Sequence, residues 1–143
     1  MSGAEPKPRP RVMLVEEDAR TGRRLAAMLR EEGYDVDLAL DGAVAIALLS
    51  RSPRPAVLVT NLNVAAVDGL TIARYARSRF QELPVVVVTG YPHLLHAGEP
   101  LEPPPILFTK PVDYAELTRT LDRITGGRGA TSPVQRQSTA PTD

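Results

Sequence analysis

Five short apolar runs, each separated from the next by a stretch of helical pattern, constrain this chain more than any other feature. They are Val12–Val15, Val36–Ala39, Ala56–Thr60, Val85–Val88 and Ile106–Phe108. Three of them are almost continuously apolar, which suits strands buried on both faces, the situation of a parallel sheet. The intervening segments carry helix signals. Asp18 is placed to cap a helix with Leu25, Met28 and Leu29 on one face. Asp41 starts a short helix running through Leu49 and ending before Pro53. Asp68 starts a third, with Ile72, Ala73, Ala76 and Phe80 facing inward, and Asp113 a last one with Tyr114, Leu117, Leu121 and Ile124 at helical spacing. Strands alternating with helices predict an α/β fold, a doubly wound five-stranded parallel sheet. Right-handed crossovers give the order 2-1-3-4-5 and place a site at the carboxyl ends of strands 1, 3 and 4.

The chain of 143 residues is the size of one domain with one sizeable core. Residues 1–10 alternate Pro6, Pro8 and Pro10 with charged groups, and residues 126–143 carry Gly126, Gly127, Gly129, Pro133 and Pro141 with few large apolar side chains. Neither end can bury enough surface to offset its chain entropy, so both are expected to be disordered, leaving a folded unit at residues 11–125. The formal net charge is zero, which gives no reason to expect nucleic-acid or membrane-surface binding. No apolar run approaches the roughly 20 residues that span a bilayer, and no export signal heads the chain, so the cytoplasm is the expected location. The absence of cysteine excludes disulfides, thiolate metal sites and cysteine nucleophiles.

Polar residues fall at the expected strand ends. Glu16 and Glu17 follow the first strand, Asn61 ends the third ahead of a loop closed by Asp68-Gly69, Thr89 ends the fourth, and Lys110-Pro111 follows the fifth. An acidic pair, an acceptor position, a threonine and a Lys-Pro pair, in that order, resemble the signature of bacterial response-regulator receiver domains, across the whole folded region. The resemblance implies the flavodoxin-like receiver fold and two-component signalling. It also implies roles. In active members the second acid and an acceptor aspartate help hold Mg²⁺, the threonine hydroxyl and lysine ammonium bind phosphoryl oxygens, and the Lys-Pro bond is cis, making Pro111 the cis-proline candidate. The physical need is for a metal and a cation to offset charge on a phosphoryl group in transfer.

The departures bear directly on that chemistry. Asn61 stands at the phosphoacceptor position, and a carboxamide is not the nucleophile that a carboxylate is. Glu17 replaces the second aspartate, adding a methylene where Mg²⁺ demands tight octahedral geometry. Val64 and Ala65 stand where the resemblance expects Met-Pro, and Leu107 takes the place of the switch aromatic three residues before Lys110. An active pocket with three carboxylates and one lysine carries a charge of about −2, whereas Glu16, Glu17 and Lys110 give about −1. The expectation is weak or absent Mg²⁺ binding, no resident cofactor, and Glu16 and Glu17 within reach of Lys110 as an internal salt bridge. Pro92, Gly98, Pro100 and Pro103-Pro104-Pro105 leave room for only a shortened fourth helix near His93–Ala97. That shortening, with Thr89-Gly90-Tyr91 and Leu107, resembles receivers attached to hybrid sensor kinases. His93 and His96 lack a third partner for a metal and are read as solvent-exposed.

The resulting expectation is a non-enzymatic, stand-alone pseudo-receiver that binds a protein partner, such as a histidine kinase or a phosphotransfer protein, without taking a phosphoryl group. Arg20, Arg23 and Arg24 on the first helix and the Pro92–Pro105 segment are the docking candidates. The rival is a receiver that still phosphorylates itself on a displaced acid, Asp18 or Glu17.

Overall fold

In the computed structural model, residues 8–92 and 101–126 are described. Outside them lie the short helix expected near residues 93–97, with His93 and His96, and most of both terminal segments.

Every apolar run forms a strand. β1 (Arg11–Val15), β2 (Asp35–Ala39), β3 (Val57–Asn61), β4 (Val85–Thr89) and β5 (Ile106–Thr109) pair in parallel in the order β2-β1-β3-β4-β5. The interior strands show why their sequences do not alternate. Val12 and Leu14 of β1, Val57 and Val59 of β3, and Val86 and Val88 of β4 point to one face. Met13 and Val15, Leu58, and Val85 and Val87 point to the other. Successive side chains of a strand face opposite ways, so a strand covered on both sides needs apolar residues at every position.

The first face is covered by α1 (Ala19–Glu31) and α4 (Tyr114–Thr125), the second by α2 (Gly42–Arg51) and α3 (Gly69–Arg79). The buried stripe of α1 is Gly22, Leu25, Ala26 and Leu29, at the i, i+3, i+4, i+7 spacing of one helix face. Met28, expected on that face, is instead 36% exposed, because the small residues Gly22 and Ala26 let the helix approach the sheet along their line. In α3, Ile72, Ala73 and Ala76 are buried, while Phe80 falls just past the helix and packs half-buried against the same cluster. In α4, Leu117 and Leu121 are buried, with Tyr114 and Ile124 packed beside them.

Three of the four aspartates cap their helices as the sequence suggests. Asp41 accepts from the Val44 N–H at 2.8 Å, Asp68 from Thr71 at 2.9 Å and Asp113 from Glu116 at 3.1 Å. Asp18 holds the N-cap position of α1, but its carboxylate accepts from the Thr21 hydroxyl at 2.6 Å instead of a main-chain N–H. α4 ends at Gly126, whose φ of 81° is the left-handed conformation that favours glycine.

Order extends slightly beyond the expected boundary at residue 11. Pro10 accepts from the Asp35 N–H at 2.9 Å, and the Arg9 guanidinium reaches Asp35, the Arg30 carbonyl and the Tyr34 carbonyl. Tyr34 is fully buried and its hydroxyl donates to Asp122, linking the approach to β2 with α4. Arg77 holds the approach to β5, donating to the carbonyls of Leu83 and Pro103. Burial there pushes its guanidinium pKa down, with Glu102 and Glu82 opposing the shift.

The junction of β3 and α3 is set by close approach. A methyl group on Gly69 would lie 2.0 Å from the Asn61 carbonyl oxygen, and the Gly69 N–H donates to Leu62 at 2.8 Å. Only glycine lets α3 begin against the main chain at the end of β3. The variant Gly69→Ala is expected to lose about 1–3 kcal/mol of stability through this overlap, read as a lower urea midpoint with an unchanged m-value.

Candidate functional site

The carboxyl edge of the sheet gathers the polar residues singled out in the sequence. Glu16 continues β1 for one residue, its N–H donating to the Ala39 carbonyl at 3.0 Å, and it is only 6% exposed. One of its carboxylate oxygens, Oε2, accepts from the Asp18 N–H at 3.0 Å. Asn61 ends β3 opposite Val88 of β4 and is also 6% exposed. Its carbonyl accepts from the Thr60 hydroxyl, but its side-chain amide forms no hydrogen bond to another described residue. Thr89 is buried, and its hydroxyl accepts from the Tyr91 N–H at 2.9 Å. The Lys110 N–H donates to the Thr89 carbonyl at 2.9 Å, and the Lys110–Pro111 peptide is cis, as the family resemblance implies.

Glu17 is directed elsewhere. It is exposed, and its Oε1 accepts from the Ala65 N–H at 3.0 Å. Ala65 in turn accepts from the Gly42 N–H at 2.9 Å, so the loop after β3 is tied to the loop after β1 and to the start of α2. The next residue, Ala66, has φ 77°, a left-handed conformation that costs a residue with a Cβ roughly 1–2 kcal/mol. The internal salt bridge expected between Lys110 and the glutamates does not form. Glu16 turns to the Asp18 N–H, Glu17 to Ala65, and the Lys110 side chain is exposed; the ion pairs among the described residues lie elsewhere. The Asp18 N–H lies two residues from Glu16, and the fold brings the Ala65 N–H, 48 residues along the chain, against Glu17, so these donors take the bonds that a long lysine side chain would have to be ordered to make.

Two clefts meet at Asn61. One, of about 290 Å³, is lined by Asn61, Asn63, Thr89, Tyr91 and Lys110. The larger, of about 580 Å³, runs between α1 and α4 with Glu16, Asp18, Asn61 and Lys110 among its polar lining. Glu17 lines neither. Leu107 on β5 is 40% exposed, and Arg20, Arg23 and Arg24 are exposed on α1. The larger cleft was not legible in the sequence, since its floor is made of residues whose spacing marks them only as core.

The family resemblance implies a bound Mg²⁺ at this edge. Mg²⁺ takes hard oxygen ligands in near-ideal octahedral geometry. Glu16 and Glu17 bond to different main-chain N–H groups, Asn61 brings a neutral amide, and among the described residues no three Asp, Glu, His or Cys side chains are grouped to hold a metal. This set does not fit the ion.

A parallel sheet in this order, with an acid, an amide, a threonine and a lysine at its carboxyl edge, defines a receiver-type module. The response regulator receiver domain model matches residues 12–122, and the chain belongs to that family. The response regulator MprA of Mycobacterium avium (strain 104) is 35% identical over 80 residues, covering 56% of this chain and 35% of that protein. The chain therefore spans about a third of the length of the curated relatives it matches. The response regulator receiver protein of Sinorhizobium medicae WSM419 is 25% identical with a TM-score of 0.74, covering 84% of this chain and 97% of that one. The receiver domain of the sensor histidine kinase PA1611 from Pseudomonas aeruginosa PAO1, solved with a magnesium ion in its active-site cleft, is 26% identical with a TM-score of 0.71, covering 84% and 100%. Among the described residues, no helix is long and apolar enough to cross a membrane.

The Asp18 carboxyl lies below its usual pKa chiefly because of the Thr21 hydroxyl bond, with the charge of Arg20 adding. Such a shift favours the fold above the unfolded-state pKa and is lost as pH falls through the folded-state value. The variant Thr21→Val is expected to move the Asp18 pKa upward toward the ordinary aspartate value, measured by carboxyl NMR over an acid titration.

Proposed function

We propose that this receiver domain works without phosphorylation, as a protein-binding module in two-component signalling. The observation that carries the proposal is the buried Asn61 carboxamide at the end of β3, where the family resemblance places the phosphoacceptor. Its nitrogen lone pair is delocalised into the carbonyl, so the side chain forms no acyl phosphate. The surroundings support the same reading. Glu17 is committed to Ala65, and the carboxylates beside Asn61 do not make a magnesium site. No catalytic role is assigned to any residue.

A module of this kind acts by occupancy. It takes the place of a phosphorylatable receiver on a histidine kinase or a phosphotransfer protein, and leaves the phosphoryl group where it is. The exposed arginines of α1, Arg20, Arg23 and Arg24, form the proposed docking face. The Pro92–Pro105 segment, the other candidate surface, lies largely outside the described residues. A ligand shifts a conformational equilibrium only by its differential affinity for the two states. Without an acceptor, phosphodonors have no such leverage, and the domain holds one dominant conformation.

Incubation with acetyl phosphate and Mg²⁺ followed by intact-mass measurement is expected to show no phosphoryl adduct. An adduct mapped to Asp18 or Glu17 would establish the displaced-acid receiver instead, and the proposal would fall. Once a partner is in hand, the double variant Arg23→Glu, Arg24→Glu is expected to weaken binding about tenfold or more, while BeF₃⁻ leaves the wild-type affinity unchanged.

A further inference from the structure

The larger cleft at Asn61 is built like a small-molecule site. Its floor is apolar: Leu25 of α1, Val59 of β3, Val88 of β4 and Leu117 of α4 line it, with Tyr114 at the wall. Its volume of about 580 Å³ falls in the range of roughly 300–1,000 Å³ typical of ligand pockets. The polar groups in its lining include Glu16, Asp18, Asn61 and Lys110, with the Thr21 hydroxyl. An apolar body with a few convergent polar groups is the general form of a specific site for a small organic ligand.

Two of those polar side chains point to the head group. Glu16 is 6% exposed, yet only its Oε2 is engaged by a described residue, leaving Oε1 without such a partner. Asn61 is equally buried, and its amide has no described partner at all. Buried polar groups are ordinarily hydrogen-bonded, and a carboxylate more stringently than an amide. A donor within reach of both would bond to Glu16 Oε1 and to the Asn61 amide oxygen. Glu16 and Asp18 against Lys110 give this lining a formal charge of −1, and the Lys110 side chain stands out in solvent. The charge balance thus favours a cationic head.

We propose that this cleft binds a small primary amine with an aromatic or alkyl body. Its ammonium donates to Glu16 Oε1 and to the Asn61 amide oxygen, and its body lies on Leu25, Val59, Val88 and Leu117. The proposal rests on the phosphate-independent reading, because the ammonium would occupy Glu16 and Asn61 at the phosphoacceptor end of the cleft, beyond the apolar floor of Leu25, Val59, Val88 and Leu117. Since α1 forms one wall and also carries Arg20, Arg23 and Arg24, occupancy bears directly on the helix proposed to dock a partner.

Methyl and amide NMR of the full chain with three probes matched in body, phenylbutylamine, phenylbutanol and phenylbutyrate, tests this. The amine is expected to shift the Leu25, Val59, Val88 and Leu117 signals at millimolar concentration or below. The alcohol is expected to bind about tenfold more weakly, having lost the charge-assisted bond, and the carboxylate more weakly still. Glu16→Gln should bring the amine down to the level of the alcohol, while Glu31→Gln at the far end of α1 leaves it unchanged. Val112→Trp, at a half-buried lining position, should abolish binding of all three, with the spectrum remote from the cleft serving to show that the fold is intact. Phenylbutyrate binding as tightly as the amine, shifts lying outside the cleft, an unaffected Glu16→Gln variant, or no response to any probe at millimolar concentration would each overturn the proposal.

Discussion

Burial of the sheet on both faces governs this molecule. A parallel sheet is joined by crossovers that lay helices over it, so β1, β3 and β4 lie between two layers and expose only their ends. Each Val or Leu withdrawn from water in those strands contributes roughly 1.5–3 kcal/mol toward holding the layers together. Buried polar side chains enter the interior strands at or near their carboxyl ends, Thr60 one residue before the end of β3. Glu16, Asn61 and Thr89 do so as the residue after β1 and the last residues of β3 and β4, and all three remain buried. The core and the site are therefore two consequences of one constraint.

What the site can do follows from which charges remain there. A receiver with its full carboxylate set attracts a divalent cation and uses it to accept a phosphoryl group. Here the amide of Asn61 removes one charge, and the glutamates are drawn to main-chain N–H groups of their own surroundings. Lys110 remains exposed, because neither glutamate is oriented to receive it. The pocket keeps an acid, an amide, a threonine and a lysine at the ends of the strands. The adjoining cleft, lined by Leu25, Val59, Val88 and Leu117, opens at the same edge of the sheet.

The loops at this edge are linked by hydrogen bonds and close packing. Glu17 bonds to Ala65, Ala65 bonds to Gly42, and Gly69 packs its Cα against the Asn61 carbonyl. These contacts join the loops after β1 and β3 to the starts of α2 and α3.

The strand runs, the helix periods and the order of polar residues at strand ends were all carried by local pattern, because they depend on spacings of two and about four residues along the chain. Asn61 alone was enough to question acyl-phosphate chemistry, since the reactivity of a carboxamide does not depend on its neighbours. Other features required the assembled fold. Met28 and Ala26 lie only two residues apart on α1, and which one faces the sheet was decided by how closely a helix with Gly22 on that line can approach. The partner of Glu17 was decided by tertiary packing, which brought the Ala65 N–H, 48 residues along the chain, to 3.0 Å, while Glu16 and Asp18 bond to donors two and three residues away. The cleft between α1 and α4 could not be foreseen because Leu25, Val59, Val88 and Leu117 carry an ordinary core signature. A cavity belongs to the distance between elements, and that distance is fixed only when residues remote in sequence are packed together.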